Sequence, residues 1–156
     1  MSNRLLQVSA AVVVALVAAQ FVRPDRTNPA IDATRAVQAQ AGTTSAFVAI
    51  LDRACNDCHS NATEWPWYTQ IAPLSWLWAY GVKEGRKAVN FSEWAAYPPH
   101  QRQKLLVESC RDASTGKMPG TPYTLLHPEA RLSAEDIQTI CAASQQADAP
   151  AARASQ

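Results

Sequence analysis

The chain has little net charge, little glycine, and few of the side chains that bind metals. Its 156 residues include 14 Lys and Arg against 13 Asp and Glu, which gives a formal net charge of +1. Proteins that bind nucleic acid through its phosphates present a basic surface, so we expect no nucleic-acid partner. With only three His and four Cys available, a metal or redox site has few residues to use.

Segments with the alternating pattern of β-strands are also missing. Apolar residues recur instead every three or four positions, as Phe47, Leu51 and Ala54 do, and this spacing is typical of an amphipathic helix. Stretches at 72–88, 98–114 and 132–144 begin with helix-starting signals, among them Ser133 and Asp136 in capping-box spacing. The sequence therefore predicts an all-α domain.

One long apolar run is present, at the N-terminus. The run from Leu5 to Val22 has no charged residue and follows Arg4, as in a signal peptide or a membrane anchor. Either alternative places the domain outside the cytosol, on the periplasmic side of a bacterial inner membrane, anchored there or secreted after signal cleavage. The predicted division of the chain is a signal peptide or membrane anchor at 1–22, a flexible tether at 23–44, a folded domain at 45–146 and a disordered tail at 147–156.

Two of the four cysteines lie together in the stretch "CNDCH", which contains Cys55, Cys58 and His59. A zinc site needs a second ligand pair nearby, whereas the other cysteines are distant and single. A thioredoxin-like dithiol needs a βαβ context that this pattern lacks. On a helix the two thiols lie about one turn apart and can both reach the vinyl groups of one porphyrin, with His59 directed at its iron. The motif favours one covalently attached haem c.

The second axial ligand of such an iron has three candidates. Met118 is the only methionine beyond the N-terminal segment, and it lies in a turn between Gly116 and Pro119. A lone methionine more often fills a core, but a turn is a less expected place for that role. His100 and His127 remain as competitors, and His127 is also a candidate for supporting a ligand from outside the first coordination sphere.

Aromatic residues are concentrated between Trp65 and Trp94. They can form an ordinary core, cover the flat apolar surface of a porphyrin, or do both. The candidate pocket residues are Trp67, Tyr68, Trp94 and Tyr123.

The other two cysteines, Cys110 and Cys141, fall in the two C-terminal predicted helices. In an oxidising compartment they are candidates for a disulfide. The alternative is a pair of buried apolar thiols.

Longer motifs surround the cysteines. They read "CNDCHSN", "WPWY", "IAPLSWL", "EGRKAVNFSEW" and "MPGTPYTLLHPEARLS". With these motifs the chain resembles the bacterial haem-binding-domain family of small c-type cytochromes. The resemblance implies a cytochrome c-like helical domain with an N-terminal hydrophobic helix, covalent haem at Cys55 and Cys58, and axial ligation by His59 and Met118. The chain departs from the family in lacking a tryptophan near Ala142 and in carrying Cys110 and Cys141.

The resulting hypothesis is a membrane-associated mono-haem cytochrome that carries single electrons between redox protein partners, with no catalytic residue of its own. A haem sensor or peroxidase-like enzyme with an open or displaceable distal position is the alternative, in which His127 or Glu129 would supply acid–base chemistry. A structural haem subunit of a larger membrane complex is a third interpretation. None of these identifies the partner.

Overall fold

A computed structural model describes residues 3–146 of the chain. These residues form helices and contain no β-strand, which confirms the all-α prediction. Short 3-10 turns at Val37–Ala39, Trp67–Gln70, Phe91–Ala96 and Pro128–Ala130 connect the longer elements. The α-helices are α1 (Asn3–Ala19), α2 (Ser45–Ala54), α3 (Asn56–His59), α4 (Leu74–Ala88), α5 (Pro99–Ser114), α6 (Thr121–Leu126) and α7 (Ala134–Gln146).

Helix α1 covers part of the apolar N-terminal run, is shorter than the 18-residue run that the sequence shows from Leu5 to Val22, and stands apart from the domain core. It has 17 residues, none of them buried. Within residues 3–146, no helix combines the length and the apolar character that crossing a membrane requires. The role of 1–22 as a signal peptide or an anchor stays a prediction.

Residues 23–44, for which the sequence predicts a flexible tether, lie along the domain. Ala36 and Val37 are buried, and Val37 belongs to the core cluster. Arg35 forms an ion pair with Glu93 at 2.8 Å, and its carbonyl accepts a hydrogen bond from the Ala95 amide at 2.9 Å. Burial of a valine side chain contributes about 1.5 to 3 kcal/mol, and the ion pair and hydrogen bond of Arg35 add to this local attachment. The tail at 147–156 lies outside the described residues.

The core is formed mainly by α2, α5 and the segment 89–94, with Ile140 from α7. Thr44 caps the start of α2, since its side chain accepts a hydrogen bond from the Phe47 amide. Ser133 and Asp136 form the reciprocal capping box predicted for α7, with contacts of 2.8 and 3.1 Å. The buried apolar cluster contains Val37, Phe47, Ile50, Leu51, Val89, Phe91, Trp94, Leu105, Leu106, Ala113 and Ile140.

A disulfide between Cys110 and Cys141 joins α5 to α7, and the two Cα atoms are 4.7 Å apart. The Ser114 hydroxyl lies 3.7 Å from the Cys141 sulfur. The bond links two helices that already share core residues on their inner faces. It therefore fixes the C-terminal helix to the domain at a second place.

Helix α4 approaches the short helix α3 very closely at Gly85. A Cβ atom added to Gly85 would overlap the Cys58 carbonyl oxygen and lie 2.9 Å from its carbonyl carbon. Because the obstructing atoms belong to the backbone, no rotamer change can make room for a side chain. The contact at this position depends on glycine.

We predict that Gly85→Ala lowers the free energy of unfolding by about 2 kcal/mol, because the overlap outweighs the better helix propensity of alanine. Urea unfolding followed by far-ultraviolet circular dichroism measures this change. Gly81→Ala, compared with Gly85→Ala in the haem-free chain, is the matched control, since it lies in the same helix and its added Cβ meets no protein atom within 4 Å. Equal stabilities for the two variants would contradict the importance of the close contact.

Replacing both Cys110 and Cys141 by Ser is expected to reduce the free energy of unfolding by about 3 to 4 kcal/mol, the chain-entropy value for a loop of this length. Thermal and urea unfolding of the oxidised parent and the double variant provide the comparison. Alkylation of both Cys110 and Cys141 in the unreduced protein, located by peptide mass spectrometry, would rule out the disulfide in solution.

Candidate functional site

The three side chains of the CxxCH motif come together at the junction between α2 and α3. Cys55 ends α2 and precedes the single turn of α3. Its carbonyl accepts hydrogen bonds from the Cys58 amide at 3.1 Å and the His59 amide at 2.9 Å. The motif is therefore one turn of helix, and all three side chains line the same cavity.

His59 is held in position by the end of α4. Its Nδ1 atom lies 3.2 Å from the Val89 carbonyl oxygen, so the tautomer with a proton on Nδ1 donates there and leaves Nε2 free to bind a metal. Burial lowers the pKa of His59, which favours the neutral imidazole. A hydrogen bond from one ring nitrogen to a backbone carbonyl is a common support for a metal-binding histidine.

Cys55 and Cys58 form no disulfide with each other. Burial raises the pKa of Cys55 to about 12 and that of Cys58 to about 11. A redox-active dithiol needs the opposite shift, because the thiolate is its nucleophile. Within residues 3–146, no three His, Cys, Asp or Glu side chains converge on a place that could hold a metal ion. These observations support neither a redox-active dithiol nor a zinc site at the CxxCH motif.

The cavity beside the motif has a volume of about 620 Å³ and mostly apolar walls. A smaller cavity of about 190 Å³ adjoins it and shares Cys55, His59 and Met118 as wall residues. The walls of the larger cavity are Ala54, Cys55, Cys58, His59, Leu74, Leu77, Trp78, Gly81, Glu84, Gly85, Ala88, Met118, Pro119, Gly120, Pro122, Tyr123 and Leu126.

Met118 lines both cavities and is 45% exposed. It follows the turn that ends α5, where Gly116 has a φ of 69°. The Met118 amide donates a hydrogen bond to the Asp112 carbonyl at 3.0 Å, which ties the turn to the end of the helix. The methionine is thus not a core filler, and it shares a cavity with His59.

The segment that follows Met118 is connected to the CxxCH turn by a second contact. The Tyr123 hydroxyl donates a hydrogen bond to Asp57 Oδ2 at 2.9 Å, and Asp57 lies between the two cysteines of the motif. The other carboxylate oxygen accepts the Glu64 amide at 3.0 Å. Burial, and then the Asp57 charge, raise the pKa of Tyr123, so this phenol remains a donor.

The two competing histidines lie elsewhere. His100 is exposed at the start of α5. His127 has both ring nitrogens engaged, with Nε2 2.6 Å from the Tyr68 hydroxyl and Nδ1 3.0 Å from Glu129 Oε1. It stacks on Tyr123 with 4.4 Å between ring centroids. His127 therefore supports the wall of the cavity from behind.

The predicted pocket aromatics occupy four different environments. Tyr123 lines the larger cavity, and Tyr68 contacts it indirectly through His127. Trp94 is buried in the core cluster, and Trp67 is 75% exposed on the surface. Their roles as haem contacts stay predictions, with Tyr123 alone on the cavity wall.

Sequence reasoning missed Trp78 and Gly85, which also line the cavity. Both belong to a stripe along α4 that includes Leu74, Gly81 and Ala88, at helical spacings of three and four. That spacing, with two glycines in one stripe, was a usable signal for a surface that another group approaches closely.

The residues present fit a haem group. The cavity offers an apolar surface, two thiols, an imidazole and a thioether, which are side chains that attach or ligate haem. Trp78 Nε1 is buried without a hydrogen-bond partner and lies on the same wall. An unpaired buried donor costs free energy, so it indicates an acceptor that arrives with a bound group, such as a carboxylate of the porphyrin.

Comparison with known protein families gives a match to the haem-binding domain over residues 14–146. The chain belongs to this family, as its motifs indicate, and it is a haem-binding protein. Searches of curated proteins and of solved structures give no match.

We predict that Tyr123→Phe weakens the connection between the Met118 segment and the CxxCH turn. Loss of a hydrogen bond to a carboxylate should reduce the free energy of unfolding by about 1.5 kcal/mol, while the ring keeps its stacking on His127. Urea unfolding of the haem-loaded protein measures the loss. Tyr80→Phe, at an exposed tyrosine, should change stability by less than about 0.5 kcal/mol. Equal effects of the two changes would contradict the assignment.

Proposed function

We propose that the chain is a mono-haem c-type cytochrome that carries single electrons between redox protein partners. The observation that carries this proposal is the placement of His59 and Met118 on the wall of one apolar cavity, beside the thiols of Cys55 and Cys58. Bound haem would supply a one-electron iron couple there. The chain's own residues would attach the group, ligate its iron and exclude water.

Attachment through Cys55 and Cys58 follows from their position on one helical turn. The single CxxCH sequence of the chain would hold one haem through two thioether links. Helix α4 would close the opposite side of the site with its stripe of small and apolar residues. Because the links are covalent, the protein would keep its cofactor in a compartment where haem is scarce.

Electron transfer is favoured over catalysis by the character of the cavity. Peroxide chemistry needs an acid–base group beside an open iron position. Apart from the motif residues and Tyr123, the larger cavity has one ionisable wall residue, Glu84, and Glu84 pairs with Lys87 at 3.1 Å. The smaller cavity adds Glu108, Asp112 and Lys117. Both of its carboxylates are paired with a lysine, Glu108 with Lys104 at 3.9 Å and Asp112 with Lys117 at 2.9 Å. His127 and Glu129, which the enzyme hypothesis requires, are hydrogen-bonded to each other and absent from the wall of the larger cavity.

The proposed location is the periplasmic side of a bacterial inner membrane. Two features support it: an apolar helix at the N-terminus, and a disulfide of the kind that persists in oxidising compartments. The proposed partners are redox proteins that make weak, transient contact with the domain.

An optical experiment tests the axial ligands. In the oxidised, haem-loaded protein we expect the weak far-red band that arises from sulfur ligation to iron, and complete loss of that band in Met118→Ala. Leu126→Ala is the matched control, because it shortens another half-exposed side chain on the same cavity wall without removing sulfur.

If the parent protein lacks the far-red band and its reduced iron readily binds carbon monoxide, the electron-transfer proposal is wrong. The sensor or enzyme hypothesis would then be the better explanation. Covalent attachment is checked separately by extraction with acid–acetone, which removes haem that is not covalently bound. The parent protein should keep its haem, and the double variant Cys55→Ser/Cys58→Ser should lose it. Equally complete extraction from both proteins would contradict covalent attachment.

A further inference from the structure

A second apolar surface lies outside the haem cavity. It is formed by Phe21 after α1, by the 3-10 turn at Trp67–Gln70 with the following Ile71, and by the outer side of α4, and we call it the aromatic face. Its members are Phe21, Trp67, Ile71, Trp76 and Tyr80, which are 83%, 75%, 45%, 38% and 66% exposed. None of them lines either cavity beside the CxxCH motif. A bound haem in those cavities would leave this face uncovered.

We propose that the aromatic face rests on an anionic phospholipid surface, so that the domain sits directly on a membrane beside α1. This inference rests on the proposed membrane location and goes beyond it, because it names the part of the folded domain that contacts lipid. A flexible tether would instead leave the domain free to take any orientation.

Hydrogen bonds join the end of α1 to the aromatic face. The Gln20 side chain accepts from the Ala72 amide at 2.9 Å and donates to the Ala72 carbonyl at 3.3 Å. The Trp76 indole nitrogen donates to the Val22 carbonyl at 2.7 Å. Two apolar surfaces, the exposed helix α1 and the aromatic face, are therefore continuous across a fixed joint.

The chemistry of the face matches the boundary between lipid and water. Trp and Tyr are the residues enriched at membrane interfaces, where an apolar ring and a polar atom are both accommodated. Along α4, Trp76 and Tyr80 are followed at helical spacing by Lys83 and Lys87. Long cationic side chains in this position can extend toward headgroups while their stems cover apolar surface.

The side of the domain that carries the aromatic face is more basic than the rest of the chain, which favours contact with anionic lipid. The segments 20–29 and 64–87, which form this side of the domain, contain five cations, Arg23, Arg26, Lys83, Arg86 and Lys87, against three acids, Asp25, Glu64 and Glu84. Their net charge is +2, whereas the whole chain has +1, so the remainder of the chain has −1. Basic residues near a membrane surface each add about 1 kcal/mol of attraction to anionic lipids.

A groove beside the face provides a place for a headgroup. It has a volume of about 680 Å³, and its walls include Trp76, Tyr80, three cations and one acid. The cations are Lys83, Arg86 and Lys87, and the acid is Asp25. Aromatic and ammonium groups on one wall suit a phosphate attached to acyl chains. A second copy of the chain is a less suitable occupant, because two such faces would bring their positive charges together.

The joint between α1 and the aromatic face would also determine how the haem cavity is oriented relative to the membrane. Leu77, next to Trp76 on α4, is a wall residue of the larger cavity. Cavity and aromatic face are thus neighbouring sides of one helix. A domain resting on this face holds its haem at one angle to the membrane and leaves the α5 side open to partners.

The test uses the full, haem-loaded chain with vesicles of phosphatidylglycerol and phosphatidylcholine. Hydroxyl-radical footprinting with mass spectrometry reports the accessibility of individual side chains. We expect oxidation of Trp67 and Tyr80 to fall about tenfold on vesicles, which corresponds to about 1.4 kcal/mol of net lipid contact. Oxidation of Leu125, which is 69% exposed on α6, should not change.

A charge variant provides the second measurement. Lys83→Glu/Lys87→Glu should restore most of the oxidation of Trp67 on anionic vesicles, whereas Lys104→Glu, an exposed change on α5, should leave the protection intact. Vesicles of phosphatidylcholine alone should protect less than the anionic mixture.

The outcomes separate this inference from the proposed function. Sedimentation with vesicles while Trp67 stays accessible overturns the inference and leaves the membrane location standing. A chain that remains in the supernatant overturns both. If Trp67 and Tyr80 are protected from oxidation without lipid, in a dimer, the aromatic face contacts a second copy of the chain. That result also overturns the inference. Covalent haem and its far-red band are read from the same samples and do not depend on any of these results.

Discussion

The contact between the backbone of α4 and the single turn of α3 determines the geometry of the whole site. Gly85 admits the Cys58 carbonyl into the surface of α4, and one turn later the Val89 carbonyl holds the His59 ring. The same helix provides Trp78 and Gly81 to the cavity. The positions of the Cys58 and His59 side chains and the shape of the cavity thus depend on one close approach of two helices, which only glycine permits.

Polar groups connect the Met118 side of the cavity to the close contact between α3 and α4. Asp57, an unspecified position in the CxxCH pattern, accepts from Tyr123 and from the Glu64 amide. The segment after Met118 is therefore tied to the turn that carries His59. Stacking of Tyr123 on His127, which is itself bonded to Tyr68 and Glu129, supports the phenol from the other side. Two distant parts of the chain are held at a fixed separation by a short series of hydrogen bonds.

The helices and the CxxCH motif could be predicted from sequence because they depend on local spacing. The capping box of Ser133 and Asp136 is the clearest case, since both partners lie within one turn. Burial of Val37 could not be derived in this way, because it depends on which surfaces meet after folding. The spacing of Trp78 and Gly85 along α4 was a local signal of a closely approached surface, but it did not say that α3 and the cavity lie against that surface. Composition also did not separate the aromatic residues of the core from those at the surface, since Trp94 is in the core and Trp67 is at the surface.

The exposed apolar residues fall into two groups with different explanations. Leu74, Leu77, Met118 and Leu126 are 41% to 66% exposed, yet all four line the larger cavity, so a bound haem accounts for them. Trp67, Ile71 and Tyr80 are also exposed, at 75%, 45% and 66%, and line neither cavity beside the motif. One cofactor accounts only for the first group. The proposed lipid contact would account for the second group, which is connected to the end of α1 through the hydrogen bonds of Gln20 and Trp76.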